Sequence, residues 1–388
     1  MDIKQLAEKY DDYIIKMRRY FHKNPELSWE EENTTDIIEK ELNNMGLKTT
    51  RFRGKTGVMA VLNGRKPGKT VVLRADIDAL PIEELTDEPF KSTNGKMHAC
   101  GHDCHMSMLL GAVKILCEIK NELEGNVKFL FQAAEETAQG SEYYIKEGAL
   151  DGADAIFGMH IWGTLNAPKI NIEPGGRMAA CDNFKITVKG IASHGSAPHL
   201  GVDAIVAAAS IIINIQTYVS RRNNPLNPLV ITVGTINGGN RFNIIANEVV
   251  MEGSIRNFSP ELRKEMEGNM KEIIKNTAKA LGAEAELEYS YLAGPVINDE
   301  YLTKIAKEAA IKLYGEDELV PMEKVTGSED FAYYMEEIPG TFVFLGCRNE
   351  SIGAIYSNHS EKFKVDESSL QRGSALYAQF AYDYLKDK

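Results

Sequence analysis

Seven of the eight histidines in this 388-residue sequence fall in four short segments: His98, His102 and His105; His160; His194 and His199; and His359. Only His22 stands outside them. The densest segment, Met97-His98-Ala99-Cys100-Gly101-His102-Asp103-Cys104-His105, puts three histidines and two cysteines within nine positions. Imidazole nitrogen and thiolate sulfur are donors that suit a borderline transition metal. Spacing alone does not choose among them, since Cys104 and His105 lie as near as Cys100 and His102. A second segment, Gln132-Ala133-Ala134-Glu135-Glu136, follows the apolar run Val127 to Phe131. Adjacent carboxylates at a strand end point in different directions. One can therefore bind a metal while the other faces water as a general base. Phe157-Gly158-Met159-His160 closes another apolar run, and Tyr356-Ser357-Asn358-His359-Ser360-Glu361 comes late in the chain. A lone histidine is more often structural, and a lone Glu-Glu pair is as often a solvated turn. Four such segments together read as the parts of one metal site.

Positioning these segments takes strands that end where they begin. Apolar or alternating runs at Val58–Leu62, Val71–Ile77, Val127–Phe131 and Ala155–His160 read as strands. Helical patterns separate some of them, at Asp103–Lys120 and Ser141–Lys146, after an opening helix from Ile3 to Met17 and a second from Thr34 to Asn44. Strands alternating with helices imply a largely parallel α/β sheet, whose sites gather at the carboxyl ends of the strands. The middle of the chain reads differently. A strand at Asp182–Lys189, a helix at Val202–Arg221, strands at Leu229–Ile236 and Glu248–Arg256, a helix opened by Ser259-Pro260 and a strand at Glu284–Tyr291 give the order β-α-β-β-α-β. That is the ferredoxin-like pattern, and it can fold as its own domain. The expected architecture is a catalytic α/β domain in two pieces, 1–180 and 294–388, with a small domain inserted at 181–293.

Hydrophobic residues make up 43% and charged residues 26%, as in a globular protein, and the formal net charge is -12. An acidic surface argues against nucleic acid or an anionic membrane as partner. The most apolar run, Ala204 to Ile213, is too short to span a bilayer. No basic stretch leads into an apolar run at the N-terminus, which argues against a secretory signal. Five cysteines without repeated spacing do not make a disulfide framework, so the expected setting is reducing and cytoplasmic.

With these segments laid out, the sequence resembles the M20 metallopeptidase superfamily. It is most similar to the amidohydrolase branch with hippurate hydrolases, auxin-conjugate hydrolases and N-acetyldiaminopimelate deacetylases. The resemblance covers essentially the whole chain. It includes Phe21-His22-Lys23-Asn24-Pro25-Glu26-Leu27, Leu73-Arg74-Ala75-Asp76-Ile77-Asp78-Ala79-Leu80-Pro81, the His98–His105 block and Glu135-Glu136. It continues through Ser193-His194-Gly195-Ser196-Ala197-Pro198-His199 and Gly327-Ser328-Glu329-Asp330-Phe331 to His359.

The resemblance implies metal-dependent hydrolysis of the amide of an N-acyl amino acid or related small compound. It implies that Cys100, His102, Glu136, His160 and His359 hold one or two divalent ions, manganese first, with zinc or nickel as alternatives. Glu135 is then the general base on a metal-bound water and later hands its proton to the leaving amine. Asp76 orients a ligand imidazole, and His194 steadies the oxyanion in its own or a partner subunit's site. Asn243 and Arg256 are weaker candidates for gripping a substrate carboxylate. The inserted domain matches the family's lid or dimerisation domain, which implies a homodimer or higher homo-oligomer. Compared with the wider superfamily, Arg74 stands where a metal-binding histidine often precedes the Asp76-type residue, and Cys100 where a bridging aspartate is usual. Both departures are normal for the amidohydrolase branch. Rival readings are a metallo-carboxypeptidase or dipeptidase on the same scaffold, and a non-catalytic binding protein.

Overall fold

The helical spacing at the start of the chain is realised as two helices, α1 (Ile3–Lys9) and α2 (Asp11–Lys23). Asp2 caps α1 through the amides of Lys4 and Gln5, and Tyr10 breaks the run at φ -100, ψ 7. The structure, a computed structural model, describes residues 2–387. These divide into two units. The first comprises Met1–Gly175, Ile297–Glu323 and Asp330–Lys388; the second comprises Gly176–Val296 and Lys324–Glu329.

The first unit continues with α3 (Glu32–Asn44), β1 (Thr49–Arg51), β2 (Val58–Asn63), β3 (Lys66–Asp76), α4 (His102–Glu118), β4 (Glu124–Gln132), α5 (Gly140–Lys146), β5 (Ala155–Asn166) and β6 (Ile170–Asn171). Its seven-stranded sheet has the order β1-β2-β4-β3-β5-β13-β6, where β13 is Gly340–Arg348. The four central strands run parallel, and β1, β2 and β6 add antiparallel edges. Helices on both faces bury a parallel sheet, so its strands read as continuous apolar runs. Thr70 to Asp76 of β3 and Gly340 to Cys347 of β13 are buried without a break.

Helix α4 sets the site. Every residue from His102 to Val113 is buried, as expected of a helix packed on all sides. Two glycines allow this. A Cβ on Gly111 would run into Ser374 and Ile14, and one on Gly373 into Met108. The first brings α2 against α4, and the second brings in α10 (Leu370–Lys386). Helix α4 is thereby packed closely against both. Truncating one of its buried leucines, Leu109→Ala for example, is expected to cost about 2–5 kcal/mol.

The second unit, flanked in sequence by β7 (Gly175–Met178) and β12 (Val296–Asn298), contains β8 (Asp182–Lys189), α6 (Ala204–Thr217), β9 (Leu229–Gly238), β10 (Glu248–Asn257), α7 (Pro260–Ala280) and β11 (Glu284–Tyr291), while α8 (Glu300–Tyr314) and α9 (Phe331–Glu337) belong to the first unit. The order is β-α-β-β-α-β, and the antiparallel sheet runs β11-β8-β10-β9. Phe184, Ile186 and Val188 face a core shared with Ala204, Ala207, Ile211, Met266, Met270 and Ile274 of the two helices. Ser259 caps α7 by accepting the Leu262 amide at 3.1 Å, with Pro260 at the first helical position. Helix α6 ends four residues before the expected boundary and widens into a π turn at Tyr218–Arg222. Together they are long and apolar enough to cross a membrane, but Ala204, Ala207, Ala208, Ile211 and Ile215 are buried in this unit's own core. Ile205, Val206 and Ile213 are exposed.

The junctions differ from the expected ones. They fall at 175/176 and 296/297, and the segment Lys324–Glu329 joins the inserted unit. The reason is local hydrogen bonding. The Ala179 amide is shared by the carbonyls of Val325 at 3.0 Å and Gly327 at 2.9 Å, a tie between distant segments that no sequence period signals.

Candidate active site

Cys100, His102, Glu136, His160 and His359 come together in the first unit. Cys100, Glu136 and His359 lie on loops, His102 at the start of a helix and His160 within a strand. His102 opens α4 directly after Gly101, whose φ of 98 suits glycine. His160 lies on β5, and Glu135 and Glu136 follow the end of β4 after Ala134 at φ 58. His359 itself has φ 68. Left-handed backbone at non-glycine residues costs free energy and tends to collect at functional sites.

Cys100 Sγ lies 3.3 Å from His160 Nε2 and 3.2 Å from His359 Nε2. Glu136 Oε2 is 3.8 Å from His359 Nε2, and its Oε1 is 3.8 Å from His102 Nε2. Donor atoms of Cys100, His102 and His160 lie within 4.8 Å of one another, as do those of Cys100, Glu136 and His359. Cys100 belongs to both triads, so its sulfur is the donor they share. Among the described residues, His102 Nε2 and Glu136 Oε1 are buried without a hydrogen-bond partner. Such atoms are costly unless another group satisfies them. Sulfur, nitrogen and carboxylate donors at this spacing fit a divalent transition metal.

The electrostatics agree. Burial alone would push His102 down, but Asp76, Asp78 and Glu136 outweigh it and carry the imidazole up to about 10. These carboxylates favour a positive charge at the His102 ring. Burial, reinforced by Asp78, pushes Glu136 up to about 7. Burial and the neighbouring His105 hold His160 well below the usual imidazole range, in the neutral form that ligates. Its Nδ1 donates to the Ile161 carbonyl at 2.6 Å, which leaves Nε2 free to coordinate. Glu135 is nearly buried; Oε1 accepts the Asp330 amide at 3.4 Å and Oε2 stands 3.9 Å from His102 Nε2.

One residue takes a part other than the one the sequence suggested. Asp76 does not brace a member of the cluster. Its Oδ1 bonds His105 Nδ1, its Oδ2 takes Arg74 Nη1 at 2.7 Å, and His102 Nε2 is 3.8 Å away. The carboxylate behind His102 is Asp78, two residues on, because alternation along an extended chain sends both side chains to the same side. The Asp78 carbonyl lies 2.8 Å and its Oδ1 3.3 Å from His102 Nδ1. His105 has no nitrogen to spare, since Nε2 accepts the Ile161 amide at 2.9 Å. Tertiary position thus separates two histidines one helical turn apart. Arg74 is buried on β3. It reaches Gln132 at 2.8 Å, Asp76, and Asp330 at 2.9 Å.

Sequence reasoning assigned no role to three buried positions. Glu31 is buried and accepts the Ala134 amide at 3.0 Å, which braces the backbone before Glu135. His22 bridges Asp103 at 2.8 Å and Glu84 at 2.9 Å, outside the cluster. His98 is buried with neither nitrogen partnered, and burial pushes it to about 4. The Phe21–Leu27 motif was a signal for His22; nothing local marks Glu31.

The remaining predicted residues lie in the second unit. His194 is exposed, and its Nδ1 receives the Ser196 amide at 3.2 Å and lies 2.7 Å from the Ser196 hydroxyl. Nδ1 is therefore an acceptor, and the ring proton sits on Nε2. The Gly195 amide donates to the Asn243 carbonyl at 2.8 Å, which keeps Asn243 beside His194. Asn243 Oδ1 and Arg256 Nη1 are buried atoms with no hydrogen-bond partner among the described residues.

The family model for peptidase family M20/M25/M40 matches residues 72–383. An N-acetyl-L-cysteine deacetylase of Bacillus subtilis (strain 168) is 39% identical over 93% of this chain and 85% of its own. Thermostable carboxypeptidase 2 of Saccharolobus solfataricus is 38% identical over 98% of both chains. The crystal structure of the Bacillus subtilis YXEP protein, titled a dinuclear metal binding peptidase from the M20 family, superposes with a TM-score of 0.87. It is 35% identical over 98% of this chain and 99% of that one.

Proposed function

Since the chain belongs to peptidase family M20/M25/M40, we propose that it hydrolyses the amide bond of N-acyl amino acids or related small amides with one or two divalent ions. The observation that carries this reading is the convergence of Cys100, His102, Glu136, His160 and His359 with Glu135 beside His102 Nε2. Those five residues would hold the metal, with manganese the first choice and zinc or nickel the alternatives. A bound divalent cation supplies a Lewis acid for the carbonyl oxygen and acidifies water.

The protein's own groups do the rest. Glu135, held at Oε1 by the Asp330 amide, takes a proton from the attacking water. It then delivers that proton to the departing amine nitrogen, which leaves as a free amino group. His194 acts on the oxyanion: with Nδ1 occupied by Ser196, Nε2–H is the donor. Asn243 and Arg256 grip the carboxylate of the amino-acid half, a role supported by their unpartnered polar atoms. Asp76 acts indirectly, by fixing His105 and Arg74 beside the cluster. The exposed apolar side of α6, with Ile205, Val206 and Ile213, supports a homodimer formed through the inserted unit. All five cysteines are free, in keeping with a reducing, cytoplasmic setting.

A screen of N-acetyl and N-benzoyl amino acids beside dipeptides tests the reading, with manganese, zinc, cobalt and nickel supplied in turn. Acyl-amino-acid turnover that depends on added metal is expected. Turnover of dipeptides alone would favour the second reading, a carboxypeptidase or dipeptidase, which has the thermostable carboxypeptidase relative on its side. Metal-loaded protein inert on both panels would overturn both.

A further inference from the structure

In sequence, Asn358 is merely the neighbour of His359. In the structure its side chain stitches together the segments that carry three of the cluster's donors. Oδ1 accepts the Gly163 amide at 2.9 Å. Nδ2 donates to the carbonyls of Cys100 at 2.8 Å and Ile161 at 3.2 Å. The orientation of the amide follows, because only the oxygen can accept from an N–H and only the nitrogen can give to two carbonyls. The Ile161 carbonyl is the one that also receives His160 Nδ1, so Asn358 holds the group that sets the His160 ring. A Cβ on Gly163 would come within 2.8 Å of the Tyr356 carbonyl, so glycine there lets the 356–359 segment approach β5. From the same segment, the His359 amide reaches the Ala99 carbonyl at 2.8 Å, with His359 in the left-handed region.

We propose that Asn358 is a positioning residue that sets the Cys100–His160–His359 triangle and thereby the affinity of the site for a divalent ion. The argument is geometric. Cys100 arrives on a loop and His359 on another, and loops hold donors less firmly than helices or strands do. A single side chain that hydrogen-bonds the backbone at Cys100, Ile161 and Gly163, and is covalently next to His359, removes that freedom. Groups that orient metal donors typically change affinity by about 10–100-fold when lost. The proposal rests on the reading that Cys100, His160 and His359 are ligands.

The test uses the full-length protein stripped of metal and titrated with zinc against a chromophoric chelator. Four variants accompany the wild type: Asn358→Ala, Asn358→Ser, Cys100→Ala and Asn298→Ala. Asn298 is the control for a purely structural loss. It is buried and makes the same three kinds of bond, to the Glu173 carbonyl at 2.9 Å and the Phe342 carbonyl at 2.8 Å and from the Phe342 amide at 2.7 Å, none of them to the backbone at Cys100, Ile161 or Gly163. Asn358→Ala is expected to raise the Kd for zinc by about 10–100-fold, with Asn358→Ser, which keeps one donor, in between. Asn298→Ala should lower the melting temperature of the stripped protein while leaving Kd unchanged. Equal weakening by Asn298→Ala and Asn358→Ala overturns the proposal, as does an unchanged Kd in both Asn358 variants. In the latter case Cys100→Ala separates the causes: lost affinity there leaves the ligand reading standing, and retained affinity removes that reading as well. Should Asn358→Ala fail to fold, the serine variant carries the comparison.

Discussion

Asp78 grips His102 from behind, with its carbonyl oxygen 2.8 Å and Oδ1 3.3 Å from Nδ1, and its other carboxylate oxygen receives the Glu136 amide at 3.0 Å. One residue thus ties two proposed ligands together. Burial raises the cost of its charge, yet the His102 hydrogen bond and charge hold it below the usual carboxylate range. Asp78→Asn preserves the shape and removes the charge. Zinc affinity is expected to fall by about 10–100-fold, read by chelator competition, and an unaltered Kd would show that Asp78 is not needed behind His102.

Glu135 is the proposed base and not a ligand. Glu135→Gln should retain the wild-type metal content by elemental analysis and lose about 10²–10⁴-fold in kcat. Appreciable turnover in a metal-replete variant would refute the assignment.

His194 stands apart from every proposed ligand in sequence and belongs to the other unit. His194→Ala is therefore expected to leave metal content alone while kcat drops by about 10²–10³-fold, the usual effect of losing an oxyanion donor. Loss of metal along with activity would contradict the oxyanion role.

Arg74 is buried and makes ion pairs with Asp76 at 2.7 Å and Asp330 at 2.9 Å. Arg74→Met leaves both carboxylates buried without their counter-charge. Destabilisation of about 3–5 kcal/mol is expected, measured by urea unfolding of the metal-free protein. A change within experimental error would mean that the two aspartates find other partners.

Glu31 gives a pH signature. Burial, reinforced by Asp78, pushes it up from an ordinary 4.5 to about 7. The folded chain thus prefers the protonated acid. Stability of the metal-free protein is undiminished below pH 4.5 on this account and declines as pH rises from there to about 7, by on the order of 3 kcal/mol at most. Glu31→Gln removes this contribution. Relative to wild type, the variant should gain stability steadily across that window; a pH-independent difference would exclude Glu31 as the source.

Much of this protein is legible along the chain because its elements are local. Period-two and period-3.6 patterns mark β4, α4 and α7 within about three residues and β3 and β5 over part of their length, since each must bury one stripe or run against a common core. The β-α-β-β-α-β order of the inserted unit follows from the same patterns. Donor chemistry is local too: a block with three histidines and two cysteines announces its affinity for metal whatever surrounds it. The choice among those donors is not local. His102 and His105 share a helix turn and a residue type, and only the packing of β3 and β5 against α4 gives both His105 nitrogens to Asp76 and Ile161 while leaving His102 Nε2 unpartnered. The same packing makes Asp78, rather than Asp76, the support of His102, and it brings Asn358 to Cys100 across 258 positions. A hydrogen bond is decided within a few tenths of an ångström, and that distance is set only when distant segments close on one another.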